Sequence, residues 1–479
     1  MKGLRSDRTF ALLLFLIAFV LRFEVARTFA GEAVWDGHYY DFYARRIAEG
    51  HGYSDPMMVG GVDVGHPSCH YPVGYSGFLG AFYAVFGASR LSGQVFNALV
   101  GALLPLVVWR VSTFGLSPVR ARIAGVLAAL HPGLVLYAAL TMSEPLSALL
   151  TLSAFYIFLH HKAQGAPLRG GIYGALVLGV AALVRPQALL CVPFLVPFLP
   201  LPVAIAGSFG ERALAYARWA GKHVAIAALL GAVSLAPVLP WTARNCKQMD
   251  GCALVSTNGG WNLAIGSFPR ATGRFETLRS SDGCAEVTGQ VQQDRCWFSY
   301  GLLHIRQEPG HWLGLVPKKW AYTFDHESFQ VEYLHESRPE LWPDEVRAQG
   351  RTLLSAFHHV LVAAAALSVV GLRLRGKPRP RFFQGALLVL ALLAAYLGFS
   401  REPISVVPLV VFLFLGAVLP LPGKPSFPPA LALCLGLLGT VLFTHAVFFG
   451  EDRYHIVVSP IFCMLAAAAL RMPQDDPAR

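Results

Sequence analysis

The sequence predicts an all-α, polytopic membrane protein of about twelve spans, with two extended segments on the outer side. Three observations carry that expectation. Of 479 residues, 55% are hydrophobic and only 14% are charged, whereas an ordinary soluble domain carries about 25% charged residues. Mean hydropathy is +0.51. Apolar runs of about 18 or more residues, long enough to cross a bilayer, recur along most of the chain. Disordered, collagen-like, coiled-coil and small disulfide scaffolds are excluded.

The spans are expected to begin near Thr9, Leu91, Arg122, Pro145, Gly171, Gln187, Val224, Leu353, Phe383, Ile404, Pro429 and His455. Basic residues alternate between the short loops and fix the orientation, because cytoplasmic loops collect Lys and Arg. They gather at Lys2/Arg5/Arg8, Arg110/Arg120/Arg122, Lys162/Arg169 and Arg212/Arg218/Lys222. The densest run is Arg373, Arg375, Lys377, Arg379 and Arg381, and Lys424, Arg471 and Arg479 continue the same side. The opposite loops hold chiefly Arg185, Arg401 and Arg453. Both termini are therefore expected in the cytoplasm of a bacterial inner membrane, with residues 29–90 and 241–350 outside, in the periplasm. The expected organisation is an N-terminal membrane module (1–240) carrying the first loop, a periplasmic loop domain (241–350), and a C-terminal membrane module (351–479). A cleaved signal peptide is the competing reading of the start, since Phe10 to Leu21 is a short apolar core followed by small residues. The loop charges alternate best if that helix stays.

The formal net charge of +11 would suggest nucleic acid in a soluble protein. Here the cations belong to topology, and no nucleic-acid partner is expected; membrane lipid is. Cys191, Cys434 and Cys463 sit in apolar spans, where Cys behaves as a small hydrophobe. Cys69, Cys246, Cys252, Cys284 and Cys296 lie in the outer segments, and the close pairs 246/252 and 284/296 suit disulfides in an oxidising compartment.

The first outer segment contains WDGHYYDFYARRIAEGHGYS, Trp35 to Ser54. Its aromatics recur at helical spacing, as in a helix lying along a membrane interface. Asp36 precedes that helix. It reads either as an N-cap, for which Asp is well suited, or as a carboxylate held at the water–bilayer boundary to act as general base on an acceptor hydroxyl. Further on, His66, Cys69 and His70 are metal-type residues without a standard zinc spacing. His66 and His70 are the candidates for a divalent metal, with a loop near lipid headgroups as the alternative. No other cofactor is called for.

Thr141-Met142-Ser143-Glu144-Pro145 makes a short outer turn. Ser143 suits a cap, Pro145 the first helical turn and Glu144 the positive helix end. Ionisable groups at membrane depth are costly, however, and usually face a cavity. Arg185, Arg244 and Arg453 stand at outer ends of spans. They read as snorkelling cations or as forks of donors for a phosphate.

Taken together, these segments resemble the GT-C membrane glycosyltransferases, in the branch of protein-O-mannosyltransferase-like and lipid A aminoarabinose transferases. The resemblance rests on the first span followed by WDGHYYDFYARRIAEGHGYS, then YPVGYSGFLGAFYAVFG, ARIAGVLAALHPGLVLYAALTMSEPLSALL, ALVRPQALL, PWTARN with STNGGWNLAIGSFPRATG, and GEDRYHIVVSPIF. It implies a GT-C-like fold and transfer of a sugar, with inversion, from a polyprenyl-phosphate-linked donor to a lipid, glycan or protein acceptor. Asp36 would occupy the place of the first-loop catalytic acid, and Glu144 that of the acid opening a later span. Arg185 and Arg453, with Arg244, would hold the donor phosphate. The chain departs from many relatives in having Gly37 where a second acid follows the first, which speaks against a paired-carboxylate metal site. The long segment 241–350 is expected to cover the cavity and choose the acceptor, with Trp261, Trp297, Trp312 and Trp320 stacking on sugars or packing at the interface. Two other functions compete: a lipid-linked sugar flippase, and an O-antigen polymerase or ligase. Convergence of Asp36, Glu144, Arg185 and Arg453 on one outer cavity favours transfer; a pathway of polar groups at the midplane favours transport.

Overall fold

The computed structural model describes residues 2–196, 209–374, 381–400, 403–418 and 428–470. Arg375, Lys377, Arg379, Arg401, Lys424, Arg471 and Arg479, on which part of the orientation rests, lie outside the described residues. The N-terminal half runs through α1 (Lys2–Phe29), α2 (Asp36–Ala48), α3 (Val73–Phe86), α4 (Arg90–Ser112), α5 (Pro118–Leu130), α6 (Pro132–Leu136), α7 (Glu144–Ala163) and α8 (Pro167–Val184). A 3₁₀ helix follows at Pro186–Leu195, then α9 (Phe209–Leu235) and α10 (Leu239–Gln248). The long segment folds as α11 (Gly259–Ile265), α12 (Gln290–Gln307), α13 (Pro309–Phe324) and α14 (Phe329–Ser337). The last part holds α15 (Asp344–Leu374), α16 (Arg381–Phe399), α17 (Val407–Val418), α18 (Pro429–Val447), a 3₁₀ strap at Asp452–Val457, and α19 (Ser459–Ala469).

The all-α expectation is borne out, and each expected span start falls in or beside a helical element. Proline supplies many of the beginnings: it stands in the first turn of α5, α6, α7, α8, α13, α18 and α19, where its missing N–H costs nothing. The span count differs. By length and composition, five described helices can cross a membrane, and seven if two bent pairs each count as one. The bends, 51° between α5 and α6 and 58° between α9 and α10, fall at Pro132 and Pro237, which interrupt the helical hydrogen bonds. Five further apolar helices are 10–17 residues long, so an apolar run read as a full span is in several places a shorter helix.

The main core is an apolar cluster that runs from α1 through α4, α5 and α7 to α15 and α19, with smaller separate clusters such as that of Ala264, Cys284 and Trp297 in the long segment. α1 is tied into the main cluster by a buried cation: Arg22 donates to the carbonyls of Ala128 and Ala129 at 3.1 and 2.8 Å, in the last turn of α5. Only four two-residue strands occur among the described residues. They form two antiparallel pairs in the first loop, β1 (Ser54–Asp55) with β4 (His66–Pro67), and β2 (Met58–Val59) with β3 (Val62–Asp63). The cysteine pairs form as their spacing suggests, Cys246–Cys252 and Cys284–Cys296, and Cys69 is a free, buried thiol.

Candidate active site

α2 begins at Asp36, not after it. The N-cap position belongs to Trp35, and no side chain makes a capping bond there, so the capping account of Asp36 is corrected. Trp35 has φ +51° and ψ −133°, a sparsely populated backbone conformation that costs a bulky residue on the order of 1–3 kcal/mol. Its indole packs on Phe329 and Tyr333, with ring centroids 5.5 and 5.7 Å apart. That anchorage turns the chain so that the Asp36 carboxylate faces inward. Its Oδ1 accepts from the Tyr71 hydroxyl at 3.1 Å and its Oδ2 from Arg453 at 2.6 Å.

Arg453 projects from the 3₁₀ strap between α18 and α19. Its neighbour Asp452 fixes the strap by accepting from the backbone N–H and the hydroxyl of Ser328 and from the N–H of Phe329, where α14 starts. Arg453 also pairs through Nε with Glu451 at 2.7 Å. A second cation comes from the other half of the chain. Arg185 ends α8, where Pro186 prevents the helix from continuing, and donates through Nη1 to Glu144 at 2.8 Å and to the Ser143 hydroxyl at 3.2 Å. Ser143 therefore occupies the N-cap position of α7 while its hydroxyl serves Arg185. The two guanidinium carbons lie 5.4 and 5.0 Å from the centroid of the same ring, Tyr454. Cation–π attraction holds two like charges near one another there.

Asp36, Arg185 and Arg453 line one cavity of about 810 Å³. Tyr40, His70, Tyr71, Trp261, Asn262 and Tyr454 make its polar wall. Leu189, Leu190, Phe443, Val447 and Phe448 make an apolar wall. Burial opposes the charge of Asp36, but Arg453, by charge and hydrogen bond, and Tyr71 outweigh it and hold the carboxyl below its ordinary range. Burial keeps the Glu451 carboxyl above its ordinary range despite Arg453. It also lowers His70, whose ring packs edge-on against Tyr71 and Trp261. The chemistry on offer is a carboxylate and two guanidiniums at the polar end of a partly greasy hollow.

The other expected residues are placed as follows. Glu144 is fully buried beneath Arg185 and does not itself line the cavity. Arg244 donates to the carbonyls of Ser68 and Tyr53 at 2.8 and 2.7 Å, away from the cavity lining, and so ties α10 to the first loop. His66 is exposed on β4. Among the described residues, neither His66 nor His70 joins a three-ligand group. Of the four tryptophans, only Trp261 lines the cavity. Trp297 is wholly buried, and Trp312 and Trp320 donate to carbonyls of Val447 and Leu442.

Sequence reasoning missed three things. Tyr71, the second partner of Asp36, carried no signal beyond its place in an aromatic loop. Gly37 has a packing reason: a Cβ there would lie 2.4 Å from the Tyr333 hydroxyl and 2.8 Å from the Thr141 carbonyl, so no second acid fits after Asp36. Among the described residues, the group able to hold a metal is Glu327, His358 and His455. These residues are 128 positions apart at the extremes, and no local motif joins them.

Fold and cavity define a multi-span membrane protein with an ionic site at one end of its helices. Residues 70–241 match the family model described as dolichyl-phosphate-mannose-protein mannosyltransferase, and the resemblance to membrane glycosyltransferases is borne out by that match. The matched stretch contains Glu144 and Arg185 but neither Asp36 nor Arg453. No curated protein matches the sequence. Among solved structures, the chain is similar to the oligosaccharyltransferase AglB from Archaeoglobus fulgidus in complex with an inhibitory peptide and a dolichol-phosphate. The identity is 14% and the TM-score 0.44, over 97% of this chain and 50% of that one. It is also similar to ArnT from Cupriavidus metallidurans bound to undecaprenyl phosphate, at 12% identity and a TM-score of 0.37, over 96% and 76% of the two chains. The chain thus spans about half the length of the archaeal oligosaccharyltransferase.

Proposed function

We propose that the protein transfers a sugar from a polyprenyl-phosphate-linked donor to a hydroxyl of a lipid, glycan or protein acceptor, at the periplasmic face of a bacterial inner membrane. One observation carries the reading: Asp36, Arg185 and Arg453, from three distant segments, share one cavity that has an apolar wall beside its polar one. Such a hollow suits a donor that is half lipid and half sugar phosphate. Asp36 takes the proton of the acceptor hydroxyl, whose oxygen forms a bond to the anomeric carbon. The bond from that carbon to the phosphate oxygen breaks, its electrons remain on the phosphate, and the configuration inverts. Negative charge grows on the leaving phosphate, so fixed guanidiniums stabilise the transition state more than the ground state.

The ion pair between Asp36 and Arg453 adds a step to this account. An arriving phosphate competes with Asp36 for Arg453. Once that guanidinium is shared, the carboxylate loses the charge that depresses its pKa and becomes a stronger base. Donor binding and base activation are then the same event. Glu144 contributes from beneath, by holding Arg185 at the cavity wall. A flippase is the lesser reading, because the charged groups cluster at one end of the helices and not along a midplane path.

The test is incubation of the purified protein with lipid-linked sugars of several kinds and with envelope lipids, glycans and peptides as acceptors. A glycosylated product and released polyprenyl phosphate are expected. Transbilayer movement of the donor with no covalent product would replace the enzyme by the flippase. Comparison of envelope glycans with and without the gene identifies the natural acceptor.

A further inference from the structure

We propose a second site, separate from the cavity and independent of the transfer reaction: a structural metal site for a zinc-class divalent ion, formed by Glu327, His358 and His455. Glu327 lies between α13 and α14, His358 on α15, and His455 on the strap two residues after Arg453. All three are 0–1% exposed. None of them lines the cavity.

The argument rests on lone pairs. Nδ1 of His455 lies 2.7 Å from the Thr323 carbonyl, and Nε2 of His358 lies 2.8 Å from the Phe324 carbonyl. A carbonyl only accepts, so each of these ring nitrogens carries its proton. In the neutral rings, Nε2 of His455 and Nδ1 of His358 are then bare. Both face the same carboxylate oxygen, Oε2 of Glu327, at 3.4 and 3.8 Å. Three acceptors therefore converge in a dry interior, where unpaired acceptors are costly. Something positive belongs among them.

A proton is not enough. Placed on His455 it joins that ring to Glu327 and leaves Nδ1 of His358 without a partner, as it is among the described residues. A metal ion satisfies all three at once. The ligand atoms lie within 4.8 Å of one another. A tetrahedral shell at about 2.0–2.1 Å needs ligand separations of roughly 3.4 Å, so the three side chains must close by up to about 1.4 Å. The surroundings fit the same reading. Metal-binding histidines usually donate their other N–H to a carbonyl or carboxylate, which fixes ring and tautomer. Both do so here. The other carboxylate oxygen, Oε1, accepts from Gln330 at 2.9 Å, and the missing side chain of Gly133 makes its space, since a Cβ there would come within 1.5 Å. Two imidazoles and a carboxylate are a donor set for a first-row divalent ion, not for magnesium or calcium.

The ion would clamp three segments that no covalent link joins, and one of them carries Arg453. The experiment uses tag-free protein from zinc-supplemented cells. Metal analysis is expected to give about one zinc per chain, with zinc absorption spectra showing imidazole ligands at about 2.0–2.1 Å. Chelation should lower the melting temperature, and added zinc should restore it. Glu327→Gln keeps the shape and offers an amide proton to a ring nitrogen, so it should fold while its zinc affinity falls about 100-fold or more. Folded wild-type protein that carries only trace metal and gains no thermal stability from zinc overturns the site. So does zinc retained undiminished by Glu327→Gln and His358→Gln, which would put the ion elsewhere. Should either variant fail to fold, the metal content and absorption spectrum of the wild type decide.

Discussion

The two carboxylate–guanidinium pairs at the cavity look alike in sequence and differ in structure. Asp36 and Arg453 meet at 2.6 Å with side chains 25% and 13% exposed, on the cavity wall. Glu144 and Arg185 meet at 2.8 Å, but there the acid is fully buried. One acid can reach a substrate; the other can reach only its arginine. Under the proposed reaction, position relative to the cavity, more than residue type or pairing, divides chemistry from support. Arg453 keeps a second carboxylate, Glu451, within 2.7 Å, so it is not stranded if Asp36 is lost. The Glu144 carboxylate is the one acid in contact with Arg185 among the described residues.

The largest effect should come from Asp36→Asn. A positioned general base contributes about 10²–10⁴-fold, so turnover should fall to background while insertion and melting temperature stay near wild type. Near-normal turnover by this variant removes Asp36 from the reaction. Glu144→Gln should do the reverse. Removing one partner of a buried ion pair costs on the order of 3 kcal/mol, read as a lower melting temperature, with residual turnover retained. If Asp36→Asn proves the more destabilising of the two, the division between chemistry and support is inverted.

Much of this arrangement was legible in the chain. Apolar runs and proline positions located the helices, because burial of apolar surface and the geometry of proline act locally. The candidates Asp36, Arg185 and Arg453 stood out because an ionisable group at the end of a span is costly and needs a reason. What stayed hidden depends on contacts between distant segments. Gly37 reads as a missing acid until Tyr333 and Thr141 fill the space beside it. Glu327, His358 and His455 read as three unrelated residues until α15 and the strap bring them together. The count of about twelve full spans is not confirmed: among the described residues, five to seven helices are long and apolar enough by length and composition. Hydropathy records how apolar a run is and not whether its helix bends or stops.

Arg185→Ala sharpens the comparison from the side of the cation. Loss of a charge-assisted hydrogen bond costs about 1.5–3 kcal/mol, so binding of a polyprenyl phosphate should weaken by roughly ten- to hundredfold. The same substitution should leave Glu144 buried without a partner and lower the melting temperature as Glu144→Gln does. Unchanged phosphate binding with lowered stability would make Arg185, like Glu144, purely structural.

The smallest effect is a displacement along the pH axis. In the proposed reaction Asp36 acts as a base only when ionised, and Arg453 and Tyr71 hold its pKa below the ordinary carboxylate range against the opposing influence of burial. The kcat/KM for the donor, which reports the donor-free enzyme, should thus persist as the medium is made more acidic and fail only when pH falls through that depressed value. In Arg453→Gln the main source of depression is gone and burial dominates, so the pKa of Asp36 rises. The acid limb of the residual activity should then move to higher pH, measured as the same kcat/KM for the donor. Glu144→Gln should leave the limb where it is, because the Arg453 charge on Asp36 is untouched. A limb that moves equally in both variants would mean that the two pairs act on Asp36 as one network, and that exposure to the cavity does not separate them.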